Sequence, residues 1–153
     1  MNSTQNHGFE FLGFVVAHEQ DLGEYQPLAG SFAVIKCNGK YLMCFNKWRK
    51  QWELPAGIRE GNETPRECAI RELYEETGQE VDQLEFKGVL KLRNSKTGSI
   101  KTNPVYYAEI KELQPFIQNN ETTEIKLWDL EEELGIIDEM DLKMLNCLSL
   151  SFH

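Results

Sequence analysis

Three glutamates on one short segment are the residues of this chain with the clearest capacity for chemistry. Glu72, Glu75 and Glu76 follow the spacing i, i+3 and i+4, which places their carboxylates on one face of an α-helix. Like charges this close repel one another, and Arg71 is the nearest positive partner in the sequence. Carboxylates that cluster without His or Cys favour Mg²⁺, or Mn²⁺ as an alternative, over zinc. A solvated acidic helix face is the competing interpretation of these residues taken alone.

The surrounding sequence predicts the helix that carries these glutamates, from Pro65 to Thr77. Thr64 suits the N-cap and Pro65 the first helical position. Thr64 and Glu67 have the spacing of a capping box, and Gly78 suits the left-handed residue that ends a helix. The apolar side chains expected to face a core are Ala69, Ile70 and Leu73.

The longer pattern over residues 57–78 resembles the Nudix box, G-x5-E-x7-R-E-U-x-E-E-x-G-U, in which U is a bulky aliphatic residue. Gly57, Glu63 and the run from Arg71 to Gly78 occupy its fixed positions, whereas the final aliphatic position holds Gln79. Seven fixed positions match, which composition alone produces with a frequency on the order of one in a million per chain. The resemblance therefore outweighs the interpretation as a solvated face. It extends at lower specificity over residues 30–134.

This resemblance implies both a fold and a function. The fold would be a single α/β domain over residues 1–153, a Nudix-type α/β/α sandwich with a mixed central sheet. The function would be Mg²⁺-dependent hydrolysis of a pyrophosphate bond in a nucleoside diphosphate linked to another group. Nucleotide sugars such as ADP-ribose and nucleoside triphosphates, including oxidised ones, are the implied substrates. A catalytically idle domain that senses nucleotides and an acidic interaction module are the alternatives, and the complete box disfavours both.

The resemblance also implies roles for individual residues. Arg71 would orient the carboxylates through ion pairs. Glu121 or Glu124, outside the box, would be the general base, and we favour Glu121 because a loop residue can swing over a metal. A box glutamate, Glu75 or Glu76, is the alternative base. The implied metal ligands are Glu72, Glu75, Glu76, Glu63 and the backbone carbonyl of Ala56.

Aromatic and basic residues before the box are candidates for substrate binding. Trp48 and Trp52 could stack on a base, and Arg49 could bind a phosphate. Tyr106 and Tyr107 are further candidates for stacking, although aromatic residues in strands more often pack in a core. The run from Leu54 through Pro55 and Ala56 to Gly57 is similar to that of ADP-ribose pyrophosphatases. Those enzymes usually have a longer N-terminal segment.

Composition limits the other classes of function. The chain has 153 residues, of which 41% are hydrophobic, and a formal net charge of −9, which argues against stable binding to nucleic acids or to an anionic membrane. No signal peptide or apolar run of 18 residues is present, so we expect a cytoplasmic protein. A homodimer is compatible with the sequence. Four cysteines without metal-ligand spacing are expected to be reduced, and His7, His18 and His153 are given no catalytic role.

Hydrophobic patterning predicts strands on both sides of the helix. Asn38–Gly39 is a strong hairpin signal between two of them. Residues 1–8 are expected to be flexible and 18–29 turn-like. A basic aromatic loop is expected over 47–51, a polar loop over 93–103, and a terminal helix capped by Asp138 over 138–150. The predicted strands cover residues 9–17, 31–37, 40–46, 52–55, 84–92, 105–110 and 123–130.

Overall fold

The structure is a computed structural model that describes residues 2–151, so that Met1, Phe152 and His153 lie outside the described residues. The described chain contains helix α1 (Pro65–Thr77), helix α2 (Glu139–Ser151) and a 3-10 helix (Glu19–Tyr25). Its strands are β1 (Ser3–Gln5), β2 (Phe9–Val16), β3 (Ser31–Cys37), β4 (Lys40–Asn46), β5 (Gln51–Glu53), β6 (Ala56–Gly57), β7 (Glu85–Asn94), β8 (Ile100–Ile110), β9 (Thr122–Trp128) and β10 (Ile136–Asp138).

The strands form one mixed sheet in the order β1-β10-β5-β4-β3-β8-β7-β2. Strand β3 is parallel to β8 and antiparallel to β4, and β10 is parallel to both of its neighbours. Off this order, β9 pairs with β4 and β6 pairs with β3. The prediction of a mixed central sheet is confirmed.

Alternation along the strands divides the apolar residues between two cores. Val34 packs in one core, and its neighbours Ala33 and Ile35 pack in the other, because successive side chains of a strand point to opposite faces. Helix α1 covers one face through Ala69 and Leu73. Helix α2 covers the opposite face through Met140, Met144, Leu145 and Leu148. The predicted α/β/α sandwich is therefore confirmed.

Strands β3 and β4 pair only beside their turn, where Lys36 and Cys37 face Tyr41 and Lys40. Beyond that point the strands separate, and the short strands β5 and β6 lie between them, paired with β4 and β3 respectively. Strand β6 contacts α1. This arrangement brings the chain segment that starts the box against the helix that completes it.

Three segments differ from the sequence-based predictions. The lead over residues 1–8 contains β1, which pairs in parallel with β10, and Asn2 binds the backbone amides of Leu134 and Gly135. The expected loop 93–103 is a tight turn, because β7 and β8 continue as a polar hairpin and Asn94 accepts hydrogen bonds from the amides of Lys96 and Thr97. The stretch 18–29 includes the 3-10 helix.

Candidate active site

Helix α1 has the predicted ends. Thr64 Oγ1 accepts the amide of Glu67 at 3.1 Å, and Glu67 Oε1 accepts the amide of Thr64 at 2.9 Å, so the capping box is complete. Gly78 ends the helix at φ 82° in the left-handed region, where glycine carries no steric penalty. Because Leu73 is buried in the core, the rotation of the helix is fixed and Glu72 and Glu76 are directed toward β6.

Gly57 makes room for one of these carboxylates. A Cβ atom at this position would lie 2.1 Å from Cδ and 2.3 Å from Oε2 of Glu72, closer than any non-bonded contact allows. The glycine of β6 therefore lets the Glu72 side chain lie directly on the backbone of the strand. The first glycine of the box has a steric role at the site itself.

Arg71 lies at the centre of the acidic cluster formed by Glu63, Glu72 and Glu75 and binds all three carboxylates. Its Nε binds Glu63 Oε2 at 2.6 Å, and its Nη1 binds Glu72 Oε1 at 2.6 Å and Glu75 Oε2 at 3.0 Å. Its Nη2 donates to Glu63 Oε1 and to the carbonyl of Ile58, both at 3.0 Å. The structure thus places Arg71 where the sequence expected it, orienting three carboxylates. Glu63 anchors Arg71 from the loop before the helix.

Glu76 is the most buried of the acidic side chains on α1. The residue is 5% exposed, and its Oε1 accepts the backbone amide of Ala56 at 2.9 Å. Burial, followed by the negative charges of Glu121, Glu72 and Glu53, raises the pKa of Glu76 to about 9, because desolvation and like charges both disfavour the ionised form. A divalent cation beside Glu76 would stabilise its ionised form and so offset this unfavourable effect.

Glu121 lies opposite the helix, directly before β9. Its Oε1 accepts Nδ2 of Asn46 at 3.0 Å and lies 3.5 Å from Nη2 of Arg49. Glu121 lines one cavity of about 420 Å³ together with Glu72, Glu75 and Glu76. Glu124 is an exposed residue of β9 opposite Phe45 and does not line this cavity. Of the two candidate bases, the structure brings Glu121 to the carboxylates.

The candidate substrate residues before the box separate into three environments. Trp48 is 65% exposed and lines the carboxylate cavity. Arg49 is bound by Glu53 through two hydrogen bonds, from Nε at 2.6 Å and from Nη2 at 2.9 Å. Trp52 is 7% exposed and packs edge-on against Phe45 in the core under α2. The expectation that Trp52 binds substrate is corrected, because its ring has no face free for a base.

Tyr106 and Tyr107 are also core residues. Tyr106 donates to Glu19 at 2.8 Å, packs edge-on against Phe86 and is covered by the guanidinium of Arg66. Tyr107 is buried on the opposite face of the sheet and donates to Glu109. Neither ring can stack on a ligand, which agrees with the interpretation that aromatic residues in strands belong to the core.

The donor set on α1 and beside it fits a hard divalent cation. It consists of carboxylate oxygens and a backbone carbonyl, which Mg²⁺ prefers. Within residues 2–151, no three acidic, imidazole or thiol side chains converge on one point. In this arrangement Arg71 holds Glu72 and Glu75, and the amide of Ala56 holds Glu76. Each carboxylate has a second oxygen, and these side chains would rotate to present ligands to a cation.

A second, larger cavity of about 660 Å³ adjoins the box at Ala56 and Gly57. Its apolar walls include Phe9 and Phe32, and these two residues also line a narrower cavity of about 260 Å³ that contains acidic residues. Local sequence patterns do not reveal the cleft that these two cavities form together, because its residues come from distant segments, including β2, β3, β7 and α2. Residues shared by both cavities are Phe9, Phe32, Arg49, Ala56 and Leu92, and the acidic residues of the narrower one are Glu53, Asp138 and Asp141.

Comparison with known proteins agrees with this site. The family model of the NUDIX domain matches residues 25–146. YtkD of Bacillus subtilis, a provisionally assigned 8-oxo-dGTP diphosphatase, is 31% identical over 110 residues, which cover 69% of this chain and 68% of YtkD. A provisionally assigned 8-oxo-dGTP diphosphatase of Mycobacterium tuberculosis is 33% identical over 87 residues. That match covers 55% of this chain and 39% of the mycobacterial protein.

Solved structures share the fold at low sequence identity. The B. subtilis pyrophosphohydrolase BsRppH superimposes with a TM-score of 0.70 at 19% identity, covering 91% of this chain and 87% of that one. The NUDIX domain of Shewanella oneidensis NrtR, crystallised with ADP ribose, gives 0.69 at 17% identity, covering 90% and 99%.

Two further observations concern the class of protein. Within residues 2–151 no helix is long and apolar enough to cross a membrane. Within the same residues the cysteines form no disulfide. From the match of the family model over residues 25–146, together with the complete box on α1, this chain belongs to the Nudix family of hydrolases.

Proposed function

We propose that this chain is a Mg²⁺-dependent pyrophosphohydrolase that releases a nucleoside monophosphate from a nucleoside triphosphate or from another nucleoside diphosphate derivative. The observation that carries the proposal is the set of four carboxylates that surrounds one cavity, of which three are on α1 and Glu121 is opposite. Such a cluster is electrostatically unfavourable on its own and becomes favourable around a divalent cation and a phosphate chain.

Each residue of this site has a distinct proposed role. Glu72, Glu75, Glu76 and the carbonyl of Ala56 would hold the metal. A bound Mg²⁺ neutralises phosphate oxygens and lowers the pKa of a coordinated water. Arg71 orients Glu72 and Glu75 and is itself anchored by Glu63. Glu121 would accept the proton of the attacking water as general base.

The adjoining cleft supports a nucleotide as the substrate. Phe9 and Phe32 offer apolar surface to a base, and the neighbouring acidic residues Asp138 and Asp141 would repel phosphates. The nucleoside would therefore occupy the cleft with its phosphates directed toward Ala56 and α1. Trp48, exposed beside the carboxylates, could contact the leaving group.

Two substrate classes have separate support. The names of the relatives at 31% and 33% identity favour purine nucleoside triphosphates, including oxidised ones. The run before Gly57 and the ADP ribose bound to a domain of the same fold favour ADP-ribose as the second candidate. A sensor that binds these nucleotides without hydrolysis is the alternative to both. A cytoplasmic location and a homodimer stay predictions.

A nucleotide panel tests the proposal. Wild-type protein with Mg²⁺ is expected to release monophosphate from at least one nucleoside triphosphate or from ADP-ribose, and a chelator is expected to abolish turnover. Glu121→Gln should lower kcat about 100-fold or more, as removal of a general base does. Glu124→Gln, a charge loss on the same segment but outside the cavity, should retain wild-type kcat. Binding without turnover would identify a sensor, and equal activity of the two variants would exclude Glu121 as base.

A further inference from the structure

Gln79 stands where the Nudix box has an aliphatic residue, and it is fully buried. A buried side-chain amide is unfavourable unless its hydrogen bonds are made. Two of these hydrogen bonds reach a distant segment: Nε2 donates to the carbonyl of Gln114 at 2.8 Å, and Oε1 accepts the amide of Gln114 at 2.7 Å. Nε2 also donates to the nearby carbonyl of Thr77 at 3.2 Å. The side chain thus pairs with the backbone of Gln114 as a neighbouring strand would.

The side chain of Gln114 forms a similar pair of hydrogen bonds with the backbone of Glu80, the residue after Gln79. Gln114 Oε1 accepts the amide of Glu80 at 3.3 Å, and Gln114 Nε2 donates to the carbonyl of Glu80 at 3.1 Å. Four hydrogen bonds, two from each glutamine side chain, therefore join the residues after α1 to the residues before β9. An aliphatic residue at position 79 could form none of the two that Gln79 contributes.

The joined segment, residues 111–121, is the connection from β8 to β9 and ends at Glu121. It lies close against the end of α1: a Cβ atom on Gly78 would come within 2.7 Å of the Pro115 carbonyl and 2.8 Å of the Ile117 amide. Asn119 continues the attachment, because its Nδ2 donates to the carbonyl of Glu76 at 3.2 Å.

The same Asn119 orders the residue that faces the carboxylates. Its Oδ1 accepts the backbone amides of Glu121 at 3.0 Å and Thr122 at 2.7 Å. On the β4 side, the amide of Lys47 donates to the carbonyl of Glu121 at 2.9 Å. Glu121 is therefore held from two directions, by the sheet and by a segment attached to the end of α1.

We propose that Gln79 is a positioning residue, whose side-chain amide ties residues 111–121 to the end of α1 and thereby fixes Glu121 beside the carboxylates of that helix. The catalytic part of this inference rests on the proposed function. The helix that presents the proposed metal-binding carboxylates and the loop that presents the proposed base are then joined by direct hydrogen bonds, in addition to their contacts with the sheet. At position 79, where the box pattern has an aliphatic residue that packs against its neighbours, this chain has a glutamine that forms hydrogen bonds instead.

The test compares Gln79→Met, which keeps the length of the side chain without its hydrogen bonds, with Gln83→Met, the same change at an exposed glutamine on the following segment. Hydrogen exchange of the Gln114 and Glu121 amides is expected to be at least about tenfold faster in Gln79→Met. It should be unchanged in Gln83→Met. Unchanged exchange in Gln79→Met would refute the attachment whether or not the protein is active.

Kinetics test the catalytic part. Gln79→Met should lower kcat about tenfold with KM within about twofold, since misplacing a catalytic group costs rate more than binding. In the Glu121→Gln background the same change should have no further effect on kcat, because the two residues act through one step. An undiminished effect in that background would overturn the positioning role. A wild type without any turnover would refute the proposed function, and the exchange result would still decide the attachment.

Discussion

At the scale of single residues, Arg71 and Glu76 show two solutions to the same crowding of charge. Arg71 forms direct ion pairs with Glu63, Glu72 and Glu75 and offsets part of their negative charge. Glu76 instead faces the negative charges of Glu121, Glu72 and Glu53, and burial, the largest cause, raises its pKa to about 9. The metal-free protein therefore carries a proton on Glu76 at neutral pH, and a bound cation would displace it.

Because Glu76 binds this proton only in the folded protein, the free energy of unfolding should depend on pH when a chelator keeps the protein free of metal. Between about pH 4.5, the ordinary value for a glutamate, and pH 9, folded Glu76 binds a proton that the unfolded chain releases. The free energy of unfolding should therefore fall as pH rises, by at most about 1.4 kcal/mol per unit from this group. Denaturant titrations at pH 5.5, 7 and 8.5 measure the slope.

Two changes should flatten that slope. Glu76→Gln removes the contribution of this residue and leaves that of buried Asp141, whose pKa is also raised, first by burial. Millimolar Mg²⁺ should raise the Tm and weaken the pH dependence, because the cation replaces the proton. An unchanged slope in Glu76→Gln would contradict the raised pKa of Glu76, and no effect of Mg²⁺ or Mn²⁺ on the Tm would count against the carboxylates as a metal site.

At the scale of elements, the site depends on how α1 is started, rotated and stopped. The capping box starts it at Thr64, the buried Leu73 fixes its rotation, and Gly78 ends it against residues 111–121. Strand β6 then supplies the amide that holds Glu76 and the glycine on which Glu72 lies. The carboxylates are positioned by one helix and one two-residue strand.

The capping box makes a prediction of stability at this scale. Thr64→Ala should lower the free energy of unfolding by about 1 kcal/mol, because the amide of Glu67 loses its acceptor. Thr64→Ser keeps the hydroxyl and should unfold at nearly the wild-type denaturant concentration. Equal destabilisation by both variants would show that the methyl group of Thr64, not its hydroxyl, matters to the helix.

At the scale of the molecule, features with local causes were predictable from the sequence. The bounds of α1 follow from its caps, and the β3–β4 hairpin follows from Asn38 and Gly39, whose φ angles are 52° and 79°. Glu121 lines one cavity with the carboxylates of α1, and its role as base stays a prediction.

Features that depend on pairing across the sheet were not predictable. The cleft joins Phe9, Phe32 and Asp141 from three distant elements. The sequence does not reveal that Trp52 is buried, because alternation along β5 does not show which face of the strand α2 covers. Gln79 was visible as a departure from the box, but its partner Gln114 is 35 residues away. Such contacts between distant residues can be recognised only once the three-dimensional structure is known.

The central claim is that the carboxylates of α1 use a divalent cation to hydrolyse a nucleotide pyrophosphate bond. Turnover by wild type and Glu76→Gln, at equal concentration and with folding verified by circular dichroism, tests it most directly. We predict Mg²⁺-dependent release of a nucleoside monophosphate by wild type, and a loss of about 100-fold or more in Glu76→Gln. Full activity of Glu76→Gln, or wild-type turnover that persists in excess chelator, would contradict the account.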